Sequence, residues 1–174
     1  YKQLFGLTGP VDVTRLALAE RTVWEALLIG AGLAFQRWDQ QGLRLPFPLA
    51  TWQPLGLAAV TTGLAHMLVY TVVLHDPLWF PQQVGSLPLA NLLPPAFGLA
   101  FVALLVMERS WQWAKRPADM LRMGLIAWFG LAMLRQIFVG SLLTVPGLGQ
   151  AEDILRSVLA LGLAIGFLLW GIRK

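Results

Sequence analysis

The stretch from Leu55 to Leu74 runs for 20 residues without an Asp, Glu, Lys or Arg. A bilayer core of about 30 Å needs about 20 residues of helix rising about 1.5 Å each, so this stretch has the length and character of a membrane span. Other apolar blocks run from about Thr14 to Phe35, from Leu87 or Asn91 to Met107, from Met120 to Gly140, and from Ile154 to Ile172. Such a series predicts an all-α integral membrane helical bundle of four to five transmembrane helices. Residues 1–174 read as a single membrane-embedded module, and a start at Tyr1 without a Met leads us to expect a longer chain.

Composition agrees. Hydrophobic residues make up 57% of the chain and charged residues 13%, against about 25% charged in soluble domains. The mean hydropathy is +0.65, and the polar residues are too few to cover a soluble core. A net charge of +4 follows from Lys and Arg gathering in cytoplasmic loops. No basic stripe with interleaved aromatics appears, so no nucleic-acid partner is expected. With no cysteine, disulfides, thiol catalysis and cysteine metal sites are excluded.

The first block is the least regular, with Arg15, Glu20, Arg21 and Glu25 in its first half and only apolar residues from Ala26 to Phe35. Thr14 is placed to cap it, and Arg21 and Glu25, one turn apart, can pair. A span whose polar half faces other helices is favoured over an interfacial helix. Ala26, Gly30 and Ala34 recur every four residues, which predicts close approach of another helix along that stripe. The connection that follows holds Arg37, Asp39, Arg44, Pro46 and Pro48, with Trp38 and Trp52 as interfacial anchors. Pro94-Pro95 predicts a kink or a helix start, with Asn91 helping to satisfy backbone groups that prolines leave open. Gly162 and Gly166 are expected to serve packing within the bundle.

Giving alternate connections to alternate sides places Arg37, Arg44, Arg109, Lys115, Arg116, Arg122, Arg173 and Lys174 on one side. Lys2, Arg15, Arg21, Arg135 and Arg156 fall on the other, and the connection from Leu74 to Leu87 carries no Lys or Arg. The positive-inside rule makes the first side cytoplasmic, and with it the C-terminus.

Few residues suggest chemistry. His66 lies mid-span and is read as hydrogen-bonded to a neighbouring helix ahead of a proton relay or metal ligand. His75-Asp76 reads as an interfacial polar pair ahead of a metal site. Glu25 and Arg135 are charges within spans, which are costly unless paired or wet. They are read as a structural ion pair first and part of a polar transport path second. No nucleophile–base spacing, phosphate loop, H-E-x-x-H or paired-acid motif is present, so no catalytic residue, cofactor or metal is assigned.

Four segments carry a family resemblance. Arg21-Thr-Val-Trp24-Glu25-Ala-Leu-Leu-Ile-Gly-Ala-Gly, followed by a basic turn, resembles a recurring segment of large, many-span predicted bacterial inner-membrane proteins. These are catalogued as domain of unknown function 2339. Leu87-Pro-Leu-Ala-Asn91-Leu-Leu-Pro-Pro, Leu134-Arg135-Gln-Ile-Phe138-Val-Gly140 and Leu155-Arg156-Ser157-Val-Leu-Ala-Leu-Gly-Leu are similar to further segments of the same family. The resemblance implies a C-terminal portion of a larger membrane protein and singles out Glu25, Asn91, Arg135 and Arg156. The double proline and Gln136 depart from its pattern. It implies no activity.

The expected role is a non-enzymatic module or subunit of a larger protein or complex in the bacterial inner membrane. Its partners would be the lipid bilayer and other transmembrane helices of the same chain or complex. A transporter or channel subunit with a polar path through Glu25, His66 and Arg135 is the alternative. An enzyme acting on lipid-linked substrates would have to use His75-Asp76.

Overall fold

Lipid offers no partner to a backbone N–H or C=O, so an apolar block of spanning length closes its hydrogen bonds within a helix. The structure, a computed structural model, describes residues 10–43, 52–78, 80, 82–143 and 149–173, with the side chains of 10–17, 142, 143 and 173 outside that description. Among the described residues the helices are α1 (Pro10–Gln40), α2 (Gln53–His66), α3 (Leu93–Ser110), α4 (Lys115–Val139) and α5 (Gln150–Arg173). Helix α2 runs on as a π-helix over Met67–Leu74, and a 3₁₀ turn, Gln112–Ala114, leads into α4. Two short strands, β1 (Gln82–Gln83) and β2 (Leu142–Leu143), pair antiparallel with Gln82 opposite Leu143. The segments Gln53–Leu74, Leu93–Ser110, Gln112–Val139 and Gln150–Ile172 are each long and apolar enough to cross a membrane. The fold is an all-α membrane bundle. Lys2, Arg44, Pro46, Pro48 and Lys174, weighed above as charges or breakers, lie outside the described residues.

Charge keeps α1 out of that set, yet its packing follows α2 from end to end. Gly32 lies against Gly56 and Val60, Ile29 against Gly63, and Glu25 reaches His66. The partners ascend in α2 as they descend in α1, so the two helices are antiparallel and side by side. Beyond the end of α2, Arg21 reaches Gln82. Whatever layer α2 crosses, α1 crosses with it. The helix also begins earlier than expected, at Pro10, so Thr14 lies inside it and is not its cap.

The small-residue stripe expected to face another helix does not face α2. Gly30 is exposed, and a Cβ added there would meet nothing within 4 Å. The buried face is instead Leu18, Arg21, Thr22, Glu25, Ile29 and Gly32. The reason is energetic: in lipid the charged positions must turn inward, and they rotate the helix until Arg21 and Glu25 are covered.

Polar groups turn inward and large apolar ones outward in other helices too. Buried groups include Arg21, Glu25, Thr71, Asp76, Gln82, Arg135, Gln136 and Glu152, while Val73, Leu161, Leu168 and Ile172 are exposed. Helix α3 is the centre of the apolar packing. Its buried residues Leu93, Ala96, Phe97, Ala100, Ala103 and Leu104 follow helical spacing and face α1, α2 and α4. It starts where the prolines allow. Pro94 and Pro95 sit in its first turn, and the Asn91 Oδ1 accepts the Leu93 N–H at 2.9 Å.

Two sets of contacts define the ends of the bundle. The α2–α3 connection meets the α4–α5 connection through the β1–β2 ladder and a Val84 N–H to Ser141 C=O bond of 2.7 Å. At the other end, the Gln36 amide of α1 donates to the Ser110 hydroxyl of α3 at 2.8 Å. Helix α5 packs against α4, with Leu159 touching Gly130, and none of its apolar 18-residue window is buried.

Candidate functional site

Two buried polar clusters occupy the β1–β2 end. The first joins α1 to α2. The Glu25 carboxylate is fully buried, and its Oε1 lies 3.0 Å from the His66 Nδ1. One turn earlier, the Arg21 guanidinium donates to the Gln82 Oε1 at 2.6 Å, and the Gln82 amide donates onward to the His75 carbonyl. The antiparallel pairing of α1 with α2 sets this geometry, because it brings residues 41 positions apart to one height.

The π-helix follows His66 directly. Such wide turns recur at functional sites, and they offset side chains from the α-helical track. Here the His66 ring stacks on Tyr70 with centroids 4.6 Å apart. The His75 N–H closes the wide turn onto the Tyr70 carbonyl at 3.0 Å. The Asp76 Oδ1 accepts the Leu78 N–H at 2.8 Å, turning the chain toward β1. Three atoms near this end, the Glu25 Oε2, the Arg21 Nε and the Thr71 Oγ1, are buried without a hydrogen-bond partner among the described residues.

The second cluster joins α4 to α5. The Arg135 Nη1 donates to the Glu152 Oε2 at 2.7 Å, and the Arg156 Nη2 lies 3.1 Å from the Glu152 Oε1. Glu152 is placed in the first turn of α5, where an acid also suits the helix dipole. Next to Arg135, the buried Gln136 amide donates to the Gly85 carbonyl at 3.1 Å, tying α4 to the α2–α3 connection.

Glu25 and Arg135 are both buried, but the structure gives each a different partner: His66 for the acid and Glu152 for the base. The expected single ion pair becomes two separate clusters, one joining α1 to α2 and one joining α4 to α5. Asn91 belongs to neither; it lies one residue before the Leu92 N-cap of α3 and accepts the Leu93 N–H. Arg156 supports Glu152. His66 accepts or donates across a helix boundary, as its mid-span position suggested.

The sequence reading did not select Glu152, Gln82 or Gln136. Glu152 and Arg156 stand one turn apart, which is a visible signal. Gln136 was visible only as a departure from the family pattern, and nothing in the sequence marks Gln82.

Chemically, the first cluster can hold a proton between a carboxylate and an imidazole. Glu25 and His66 are two donors, short of the three protein ligands of a catalytic zinc site. Among the described residues no group of three or more His, Asp and Glu is placed to hold a metal.

Compared with known proteins, the chain from residue 4 to residue 174 matches the family model described as predicted membrane protein (DUF2339). No curated protein and no solved structure matches it. A match over nearly the whole chain places it in that family.

Proposed function

We propose that this chain, which belongs to the DUF2339 family of predicted membrane proteins, is a non-enzymatic module of the bacterial inner membrane. Its task is to hold further transmembrane helices, of the same chain or of a complex. The observation that carries this reading is the state of α5. Its first turn is fixed by Glu152 between Arg135 and Arg156, yet beyond it only the side toward α4 is packed and none of the apolar window is buried. A Cβ added at Gly162 or Gly166 would meet nothing within 4 Å. Small residues on a membrane helix admit a second backbone closely, and here that space is unused by the bundle itself. The basic residues favour a cytoplasmic α5 C-terminus.

A photo-crosslinking residue placed at Leu161 in native membranes tests the idea. It should capture a protein segment outside residues 150–173, and replacing Gly162 and Gly166 with Ile should remove the capture while leaving α1–α4 folded. Capture of lipid alone would defeat the reading.

A second reading is favoured by the orphaned atoms at Glu25, Arg21 and Thr71: a transporter or channel subunit whose polar path includes Glu25, His66 and Arg135. Substrate-dependent flux in proteoliposomes that Glu25→Gln abolishes, with the fold intact, would support it. Loss of fold without any flux to lose would return Glu25 to a structural role.

A further inference from the structure

We propose that the cleft between α1, α2 and α3, at the end opposite the β1–β2 ladder, binds a phospholipid headgroup carrying both a phosphate and a primary amine. The cleft has a volume of about 440 Å³. Its polar wall includes Arg109 from the last turn of α3, Asp39 from the last turn of α1, and the amides of Gln40 and Gln53.

Arg109 makes no ion pair among the described residues. Arg122 of α4 is by contrast held by Glu108 and Asp119. An unpaired guanidinium beside side-chain amides suits a phosphate, which it meets with a fork of two N–H donors. The lining is not purely basic, however. Asp39 is kept at the wall because its Oδ1 accepts the Trp52 N–H at 3.0 Å, fixing the start of α2. One guanidinium and one carboxylate give the cleft no net charge, so a simple anion gains little from it. A headgroup with a phosphate at one end and an ammonium at the other satisfies both.

The level of the cleft favours a lipid over a soluble ester. Leu33 and Val106, the apolar part of its lining, lie nearer the middle of their helices than Asp39 and Arg109. Beside it, Phe35, Trp38 and Trp52 form an aromatic cluster, Trp52 lying 5.3 Å from Phe35 and 5.0 Å from Trp38 between ring centroids. Aromatic clusters of this kind mark headgroup depth. Gln36 bonded to Ser110 braces α1 against α3 at the same wall.

The test is native mass spectrometry of the delipidated full-length protein with phosphatidylethanolamine, phosphatidylglycerol, phosphatidylcholine or free phosphoethanolamine added in turn. Phosphatidylethanolamine should be retained about tenfold more strongly than either other lipid, as expected for one charge-assisted contact. Arg109→Gln, at an exposed and unpaired position, should cut that retention about tenfold, whereas Arg116→Gln, an exposed Arg that does not line the cleft, should not. Asp39→Asn would remove the preference for the amine but also loosens the start of α2. The phosphatidylcholine arm reads the amine without any mutation. Equal retention of the three lipids, or no effect of Arg109→Gln, would overturn the proposal. Equal binding of free phosphoethanolamine would overturn the lipid assignment and leave a soluble phosphate ester as the ligand.

Discussion

Glu152→Gln removes the acid that two arginines share, and its cost can be worked from the structure. Glu152 and Arg135 have side chains only 3% and 4% exposed and lie 2.7 Å apart. Removing one member of a buried pair costs about 3–5 kcal/mol, because the group that remains loses its charged partner in a place where water cannot replace it. Two features move the expectation to the low end of that range. Arg135 precedes the end of α4 by four residues, or about 6 Å, and a long side chain can rise toward the interface from there. Arg156 is more exposed, at 18%, so its share of the pairing is screened and small. We therefore expect a loss of about 3 kcal/mol, read as a shift in denaturant unfolding of the protein in micelles. Adding Arg135→Gln should recover about 1–2 kcal/mol, since the guanidinium that lost Glu152 is then gone as well. A loss below about 1 kcal/mol, or a double variant no more stable than the single one, would refute a buried, coupled pair.

Three further outcomes follow from the packing. Gly32→Ala should cost about 1–3 kcal/mol because its Cβ would come within 2.9 Å of the Gly56 carbonyl oxygen, which cannot rotate away. Gly30→Ala, facing open space, should stay within about 0.5 kcal/mol, and equal effects would mean that α1 is rotated from the described face. Asn91→Ala should cost about 1 kcal/mol through the freed Leu93 N–H, measured by thermal unfolding, and a neutral result would mean that this hydrogen bond does not hold the start of α3. Single cysteines at the exposed Gln83 and Gln112 should label from opposite sides of the membrane, Gln112 from the cytoplasm; labelling of both from one side would break the topology.

Much of the fold was legible because lipid makes span length a composition problem. A block such as Leu55–Leu74 needs no tertiary knowledge to be recognised, and Pro94-Pro95 announces a helix start that the structure puts at Leu93. The rotation of each helix was harder to read. For α1 the small residues suggested one face, but the cost of leaving Arg21 and Glu25 in lipid selected another, and the two signals compete in the same 31 residues. Pairing was least legible. Glu25 meets a residue 41 positions away and Arg21 one 61 away, so neither partner follows from local spacing. Arg135 and Glu152 are separated by 17 residues, and pairing consecutive helices α4 and α5 as an antiparallel hairpin would have brought them together on inspection.

The two ends of the bundle differ in what they can give up, and this bears on both functional readings. At the β1–β2 end, a backbone ladder and Gln136 bridge the connections, and the charges of Glu25, Arg21, Arg135 and Glu152 are already engaged. A ligand there can meet the orphaned Glu25 Oε2, Arg21 Nε and Thr71 Oγ1, but one that takes the Glu25 Oε1 must displace His66 and break a buried contact. A transport path through Glu25 would therefore require His66 to exchange its partner during each cycle. At the opposite end, Arg109 is free of ion pairs among the described residues and already lines an open cleft, so a ligand gains a charge-assisted contact there without breaking one. The buried charges join helices at one end, and the open cleft lies at the other. That arrangement suits a module fixed within a larger membrane assembly better than one whose buried charges must move.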